Sequence, residues 1–247
     1  MKNIYIITGG TMVYITPHFS ITAPAYGKVG TKIYRLLDAN ISNEEYNIYL
    51  IKTKMAGHNS NEVIEHLKSL NLKSTIETND ELKSFVEVIS QENNTKAIIM
   101  AAAICDFEPE ELIAYEGETP ISVRDFGKDK KRLHKAHSVE LKLKPSTKIV
   151  DIIKKSNPHI FLVTFKTTAG ETEEKLIEKS RYNLQRSRSD MVFGNDIQNR
   201  INLIMTEDEV FRAENREEAL KVFCRVFLEK NFIKEESNEK NNKSSLY

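Results

Sequence analysis

The chain has 247 residues, 40% of them hydrophobic and 29% charged, and its 36 basic and 36 acidic side chains cancel to a net charge of zero. These values describe an ordinary globular protein with enough chain for a full core, in one or two domains. Charge balance removes any bulk attraction to nucleic acid or anionic lipid, so neither a nucleic acid nor a membrane is expected as a partner.

In chain order, the first apolar run covers residues 4–7 and breaks at Gly9-Gly10. It is too short to span a bilayer and lacks a signal-peptide cleavage region, which predicts a soluble, cytoplasmic protein. Val29, Ile33, Leu36 and Leu37 then fall on one helical stripe. A second apolar run, 46–51, precedes a stripe of Val63, Ile64 and Leu67. Leu82, Phe85, Val86 and Ile89 form a third stripe, with Asn79 and Asp80 as the expected caps. Apolar runs at 97–101, 160–165 and 191–193 complete the series, and a stripe of Ile149, Ile152 and Ile153 lies between two of them. Unbroken apolar runs suit strands covered on both faces. Their alternation with helices predicts an α/β fold: a doubly wound, mostly parallel Rossmann-like sheet with helices on both faces.

Three segments depart from the alternation. Residues 108–138 carry no helical stripe and mix Pro, Gly and the basic run KDKKRLHK, so the expectation there is a structureless flap or interface arm. Residues 202–206 and 209–212, split by an acidic turn, predict a hairpin at the sheet edge. From about residue 233 the chain turns to Glu, Asn, Lys and Ser, the composition of a disordered tail. The expected organisation is one nucleotide-binding domain over 1–232 and a tail over 233–247. Cys105 and Cys224 have no CxxC spacing, which argues against a disulfide framework and fits a reducing compartment.

In open α/β sheets, ligands bind beyond the carboxyl ends of the strands, so the strand-to-loop junctions carry the candidate chemistry. Gly9 and Gly10 follow the first strand, where they either shape a tight turn or expose amides to a phosphate. Gly27, Lys28 and Gly30 open the next helix, whose N-terminus favours anions. Neither a Walker A loop nor a GxGxxG fingerprint is present. After the 97–101 strand, small residues including Ala102 leave room for a flat or phosphorylated group. Asp106 beyond them either holds magnesium or a hydroxyl, or caps a turn. Phe165, Lys166, Thr167 and Thr168 end one strand and Asn195-Asp196 another: a cation and hydroxyls for a polyphosphate, an amide and an acid for a base or ribose. The six histidines show no HExxH or paired spacing, and there is no GxSxG elbow, so neither a zinc site nor a covalent nucleophile is expected. The basic run in the flap is either a solvated loop or a mobile counter-charge.

Taken in order, these motifs resemble the phosphopantothenoylcysteine synthetase family over residues 4–230. That family opens with a strand and a GGT loop, then a GKxG stretch, matched here at 9–11 and 27–30. Its small-residue strand end with SDF or SDY is matched at 102–107, its basic flap segment by Lys131-Arg132 with Lys135 as rival, and its PKI-like helix start at 145–150. A strand ending in GFK and an AND element are matched at 164–166 and 194–196. The resemblance implies a usually dimeric ligase whose flap reaches the partner's site. Its substrates would be 4′-phosphopantothenate, cysteine and a nucleoside triphosphate, ATP or CTP, with Mg2+. It implies nucleotide contacts at Gly9, Gly10, Ala102, Asp106, Phe107, Lys148, Phe165, Asn195 and Asp196, with Asp106 also on the metal. It implies phosphopantothenate contacts at Gly27 and Lys28, with His18 beside them, and catalytic roles for Lys131, Lys166 and Thr22. The chain departs from the family where relatives carry RxI(S/T)NxS(S/T)G. The arginine place is Phe19, the asparagine place Ala23, and the hydroxyl places Ala25 and Tyr26; Thr22 and His18 are the side chains left to substitute. A methyl group cannot polarise an acyl phosphate. Two alternatives therefore stand beside the ligase. One is a relative that binds nucleotide but has lost the ligase step, and the other, less favoured, is an NAD(P)-dependent oxidoreductase on the same sheet.

Overall fold

The structure is a computed structural model that describes residues 1–133 and 136–244, with side chains described as far as Asn231. Five parallel strands form its centre: β1 (Lys2–Gly10), then, beyond the hairpin β2 (Met12–Thr16) and β3 (Phe19–Thr22), β4 (Tyr46–Lys52), β5 (Thr95–Ala103), and later β9 (Phe161–Thr168) and β10 (Met191–Asp196). The edge hairpin β11 (Asn202–Met205) and β12 (Val210–Ala213) adds two antiparallel strands, giving the order β12-β11-β10-β9-β5-β1-β4. This is the doubly wound, mostly parallel sheet that the alternating pattern predicts, edge hairpin included.

Strand geometry explains why the apolar runs are unbroken. Successive side chains point to opposite faces, so a strand covered twice needs apolar residues at every position. Ile4 and Ile6 of β1 face one core together with α1 (Lys28–Asp38) and α6 (Arg216–Ser244). Tyr5 and Ile7 face the other, packed by α2 (Asn61–Ser69), α3 (Asn79–Gln91) and α4 (Val150–Ser156). Helix α5 (Glu173–Ser187) covers the same second face over β10, with Leu176 and Leu184 against Val192. Each fully buried Ile or Leu contributes about 1.5–3 kcal/mol, so the two layers fix which strand ends lie at the carboxyl edge.

Three expectations need correction. Residues 108–138 are not structureless: β6 (Phe107–Glu116), β7 (Thr119–Val123) and β8 (Ser138–Pro145) form a separate antiparallel sheet in the order β7-β6-β8. Among the described residues one side of it is covered, where Leu112 and Ala114 meet Ile15 and Ile21 of the β2–β3 hairpin. The run Val139-Glu140-Leu141-Lys142-Leu143 alternates apolar and charged residues, the period-2 pattern of a half-covered strand, which a search for helical stripes passes over. The cap of α3 is Thr78, not Asn79 or Asp80; Thr78 and Glu81 form a capping box, while the Asn79 side chain turns inward. Helix α6 continues through residues 233–244, where composition predicts a tail; residues 245–247 and the rival flap lysine Lys135 lie outside the described residues.

Candidate functional site

The ends of β5, β9 and β10 open on one crevice of about 1200 Å³. Its walls include residues 23–25 after β3, 100–106 at the end of β5, 146–150 before α4, 164–167 of β9, Asn195, and one face of α5. Small side chains make the room: Ala101, Ala102 and Ala103 follow each other along the strand end.

A buried hydrogen-bond network fixes the loop beyond β5. Thr11 Oγ1 donates to Asn79 Oδ1 at 2.6 Å and accepts from the Cys105 amide at 3.1 Å, while Asn79 Nδ2 donates to the Cys105 carbonyl at 2.9 Å. Both polar groups of Cys105 are thereby held, and the next residue, Asp106, projects at the crevice with an ion pair to Lys148. The Ser146 amide donates to the Asp106 carbonyl at 2.8 Å, tying the β5 loop to the approach of α4. Burial pushes the Cys105 thiol above its ordinary pKa, so it is not an activated nucleophile.

Of the residues singled out from sequence, Ala102, Asp106, Lys148, Phe165, Lys166 and Asn195 line the crevice. Thr167 Oγ1 donates to Asn195 Oδ1 at 3.0 Å, orienting the amide. Asp196 is placed differently. It is buried, and its carboxylate accepts from the amides of Gly170, Glu171, Gln198 and Asn199 and from the Thr168 hydroxyl. Burial works against its charge, but these donors outweigh it and hold the carboxyl far below the usual range. Asp196 is therefore occupied in building the loops after β9 and β10, with no oxygen left for a base or ribose.

The glycines act behind the crevice wall. A Cβ on Gly10 would lie 2.0 Å from the Ala23 carbonyl oxygen, so only glycine lets the segment 23–25 lie over the β1 end. Gly27 has φ +72° and caps α1. Gly9, Gly10, Gly27, Lys28, Thr22, His18 and Phe107 do not line the crevice; the last four are exposed. Lys131 lines a different cavity, of about 420 Å³, between the β2–β3 hairpin and the small sheet. It does not line the crevice at the strand ends.

Crevice residues that the motifs do not announce come from α5 and α6. Lys179, Tyr182 and Arg186 stand three and four apart, so they share one helix face, and that spacing is the signal from which they can be found. Arg216, at the start of α6, has no comparable motif. Most of the crevice cations are paired: Lys148 with Asp106, Lys179 with Glu171, and Arg186 with Asp151 at 2.6 Å. Among the described residues, Lys166 and Arg216 have no carboxylate partner. Ala23 and Ala25 present only methyl groups, and the Ala23 amide is used by the Thr11 carbonyl at 3.0 Å.

A magnesium ion fits this set in one way only. Among the described residues, no group of three or more His, Cys, Asp or Glu side chains gathers to hold a metal. Magnesium commonly uses one or two carboxylates plus substrate phosphates, which Asp106 beside an open crevice can serve. The donors suit an ion that arrives with a nucleotide.

The architecture defines an open α/β protein with a ligand crevice at the carboxyl edge of its sheet. The chain matches the DNA/pantothenate metabolism flavoprotein C-terminal domain over residues 1–223, and it belongs to that family, the family of phosphopantothenoylcysteine synthetases. The coenzyme A biosynthesis bifunctional protein CoaBC of Thermococcus kodakarensis is 26% identical over 196 residues, covering 79% of this chain and 41% of the relative. The chain thus spans about two fifths of that curated relative's length. Among solved structures, the DNA/pantothenate metabolism flavoprotein from Streptococcus pneumoniae superposes with a TM-score of 0.70 at 21% identity, covering 93% of this chain and 97% of that one. A Cab2 variant in complex with phosphopantothenate-cysteine superposes at 0.64 and 16% identity, covering 97% of this chain and 89% of that one. At these identities the structural matches speak to the fold. No helix among the described residues is long and apolar enough to cross a membrane.

Proposed function

We propose that the chain is a cytoplasmic ligase that joins 4′-phosphopantothenate to cysteine through an acyl-nucleotide, using ATP or CTP with magnesium. The observation that carries the reading is the meeting of the β5, β9 and β10 ends in one crevice, edged by Asp106, Lys148, Lys166 and Asn195. Family membership and the named relatives support it.

In the first step a substrate carboxylate oxygen attacks the α-phosphorus, and the bond to the pyrophosphate oxygen breaks. In the second, the cysteine amine attacks the acyl carbon; the nucleoside monophosphate leaves and the amine gives up a proton. Both steps place negative charge on phosphoryl or tetrahedral oxygens, which asks for fixed cations and amides more than for a protein nucleophile. Lys166, free of any carboxylate among the described residues, supplies such charge, and the alanines at the β5 end admit the nucleotide. Asp106 would hold the nucleotide's magnesium, which neutralises charge on the departing pyrophosphate. Lys131 lines the cavity between the β2–β3 hairpin and the small sheet, apart from the crevice, so its role in catalysis would be played at the site of a second chain. The apolar row Ile121–Ala114–Val139 on that sheet, exposed at both ends, supports a homodimer.

The test is pyrophosphate release from purified protein with phosphopantothenate, cysteine, magnesium and either CTP or ATP. Cysteine-dependent product is expected, and no release with either nucleotide rules the ligase out. Asp106→Ala and Lys166→Ala should each weaken nucleotide binding about tenfold or more, the scale of a lost charge-assisted contact, with the fold intact.

One observation favours a second reading, a nucleotide-binding relative without the ligase step. Ala23 borders the crevice with a methyl group where relatives carry an amide. Release of pyrophosphate without cysteine-dependent product is the result that selects an enzyme halted after the first step.

A further inference from the structure

Arg216 is the first residue of α6 and lines the crevice. Its guanidinium carbon lies 4.7 Å from the centre of the Phe193 ring, and Nη1 donates to Asn202 Oδ1 at 3.1 Å. Those are its partners among the described residues, and neither carries negative charge. The acids that follow it in sequence are committed elsewhere: Glu217 to Lys32, and Glu218 to the amide of Glu214. Arg124, Arg186 and Arg212 each meet a carboxylate, and Arg225, which also lies over a ring, is exposed to water; Arg216 is half-buried and meets no carboxylate among the described residues.

Such an arrangement is costly. The side chain is half-buried, and burial pulls its pKa down, though an arginine stays charged; the Phe193 ring face favours the cation, but no negative group neutralises it among the described residues. A cation at a helix N-terminus also meets the positive end of the helix dipole. A guanidinium offers five N–H donors in a planar fork, and the Asn202 bond uses one. An anion arriving in the crevice would relieve the uncompensated charge and take up the unused donors.

Phe165 and Phe193 belong to the sheet face packed by α1 and α6, where Arg216 lies. The cations that α5 brings from the opposite face of β10 are already matched, Lys179 by Glu171 and Arg186 by Asp151. Arg216 is thus the unmatched cation on its side of the crevice among the described residues. We propose that Arg216 is a substrate-binding residue that grips an anionic oxygen group, carboxylate or phosphate, on the α1–α6 side of the crevice. The identity of that substrate rests on the synthetase reading; the anion preference rests on the geometry of Arg216 itself.

The test is calorimetric titration of the full chain and of Arg216→Ala with 4′-phosphopantothenate, pantothenate, and CTP or ATP with magnesium. The variant should bind one class of ligand about 10- to 100-fold more weakly, the scale of a hydrogen-bonded charge contact. Loss with both pantothenate and phosphopantothenate identifies the carboxylate, loss with phosphopantothenate alone its phosphate, and loss with the nucleotides their triphosphate. Unchanged affinity for every ligand that the wild type binds overturns the proposal. A wild type that binds none of them ends the synthetase reading alone. Inorganic phosphate and acetate then decide about Arg216. At matched ionic strength, a rise in melting temperature seen in the wild type but not in the variant supports it; equal behaviour refutes it. Should Arg216→Ala fail to fold, Arg216→Gln keeps the stem over Phe193 and is judged by the same criteria.

Discussion

The seven-stranded sheet and the three-stranded sheet solve the same hydrogen-bonding problem with opposite means. The large sheet is covered on both faces, and β1 shows it: Ile4, Tyr5, Ile6 and Ile7 are all fully buried. The small sheet is covered on one side by a cluster built around Ile15, Leu112 and Ala114, and its strands are crossed by ion pairs. Lys142 meets Glu110 at 2.6 Å, Lys144 meets Glu108 at 3.2 Å and Arg124 meets Glu111 at 3.1 Å. Burial is worth far more per residue than exposed charge pairs. The difference predicts a rigid body that fixes the strand ends and a lobe whose attachment is much weaker.

Truncation in each core measures the gap. Phe85 is 1% exposed and packs edge-on against Tyr5 at 5.9 Å between ring centres. Phe85→Ala should cost about 3–5 kcal/mol in global denaturant unfolding, as for other buried aromatics. Leu112→Ala removes the centre of the small cluster and should cost about 2–3 kcal/mol, the low end for a leucine. That loss should appear as faster amide exchange over residues 107–145, with exchange in β1 and β5 unchanged. If both variants melt the whole molecule as one unit, the two-region description is wrong.

The same contrast sets what is legible in the sequence. Strands buried on both faces announce themselves, and the edge hairpin was marked by its acidic turn, so the sheet and its candidate junctions follow from the apolar runs. The junctions at Ala102, Phe165 and Asn195 do meet. The small sheet is legible only in part: Val139 to Lys144 alternate apolar and charged residues as a half-covered strand does, while β6 loses its alternation at the irregularity between Pro109 and Glu111 and β7 is short. Asp196 shows the limit of motif reasoning. An acid after a strand is consistent with a ligand contact, yet only the loop geometry reveals that its carboxylate is already saturated. Arg216 shows the converse: its interest lies in a partner that is absent, and no spacing rule encodes that.

A single carboxylate ties the lobe to the body. Glu77, which precedes α3, accepts from Tyr14 of β2 at 2.6 Å, from Lys54 at 2.6 Å and from Lys128 of the loop after β7 at 2.7 Å. Burial alone would raise its pKa, but the bonds from Lys128, Lys54 and Tyr14 outweigh it and lower it from 4.5 to about 2. A depressed carboxyl contributes stability that is complete above its unfolded pKa and is lost as pH falls toward the folded value. The attachment of the lobe should therefore weaken between about pH 4.5 and 2. Glu77→Gln should remove that pH dependence and cost about 1 kcal/mol at neutral pH, because both lysines are more than half exposed and can rehydrate. Amide exchange across residues 124–133 at pH 3 and pH 7, in both proteins, gives the measurement; equal pH dependence would show that Glu77 is not the tie.

The smallest effect separates ion pairs that tie regions together from those that merely decorate a strand. Glu110 sits in the irregularity of β6, where the register with β8 slips so that Glu111 is the residue opposite Lys142; the Glu110 carboxylate still reaches the Lys142 ammonium, and both side chains are exposed. Their mutual bond raises the lysine's pKa and lowers the glutamate's, yet water replaces each partner readily once the pair is broken. Glu110→Gln should therefore leave the unfolding midpoint and the exchange of residues 107–145 unchanged, at low and at high salt. A clear loss would mean that the strand ladder depends on its charges, and the small sheet would then owe its pairing to electrostatics instead of to Leu112 and its neighbours.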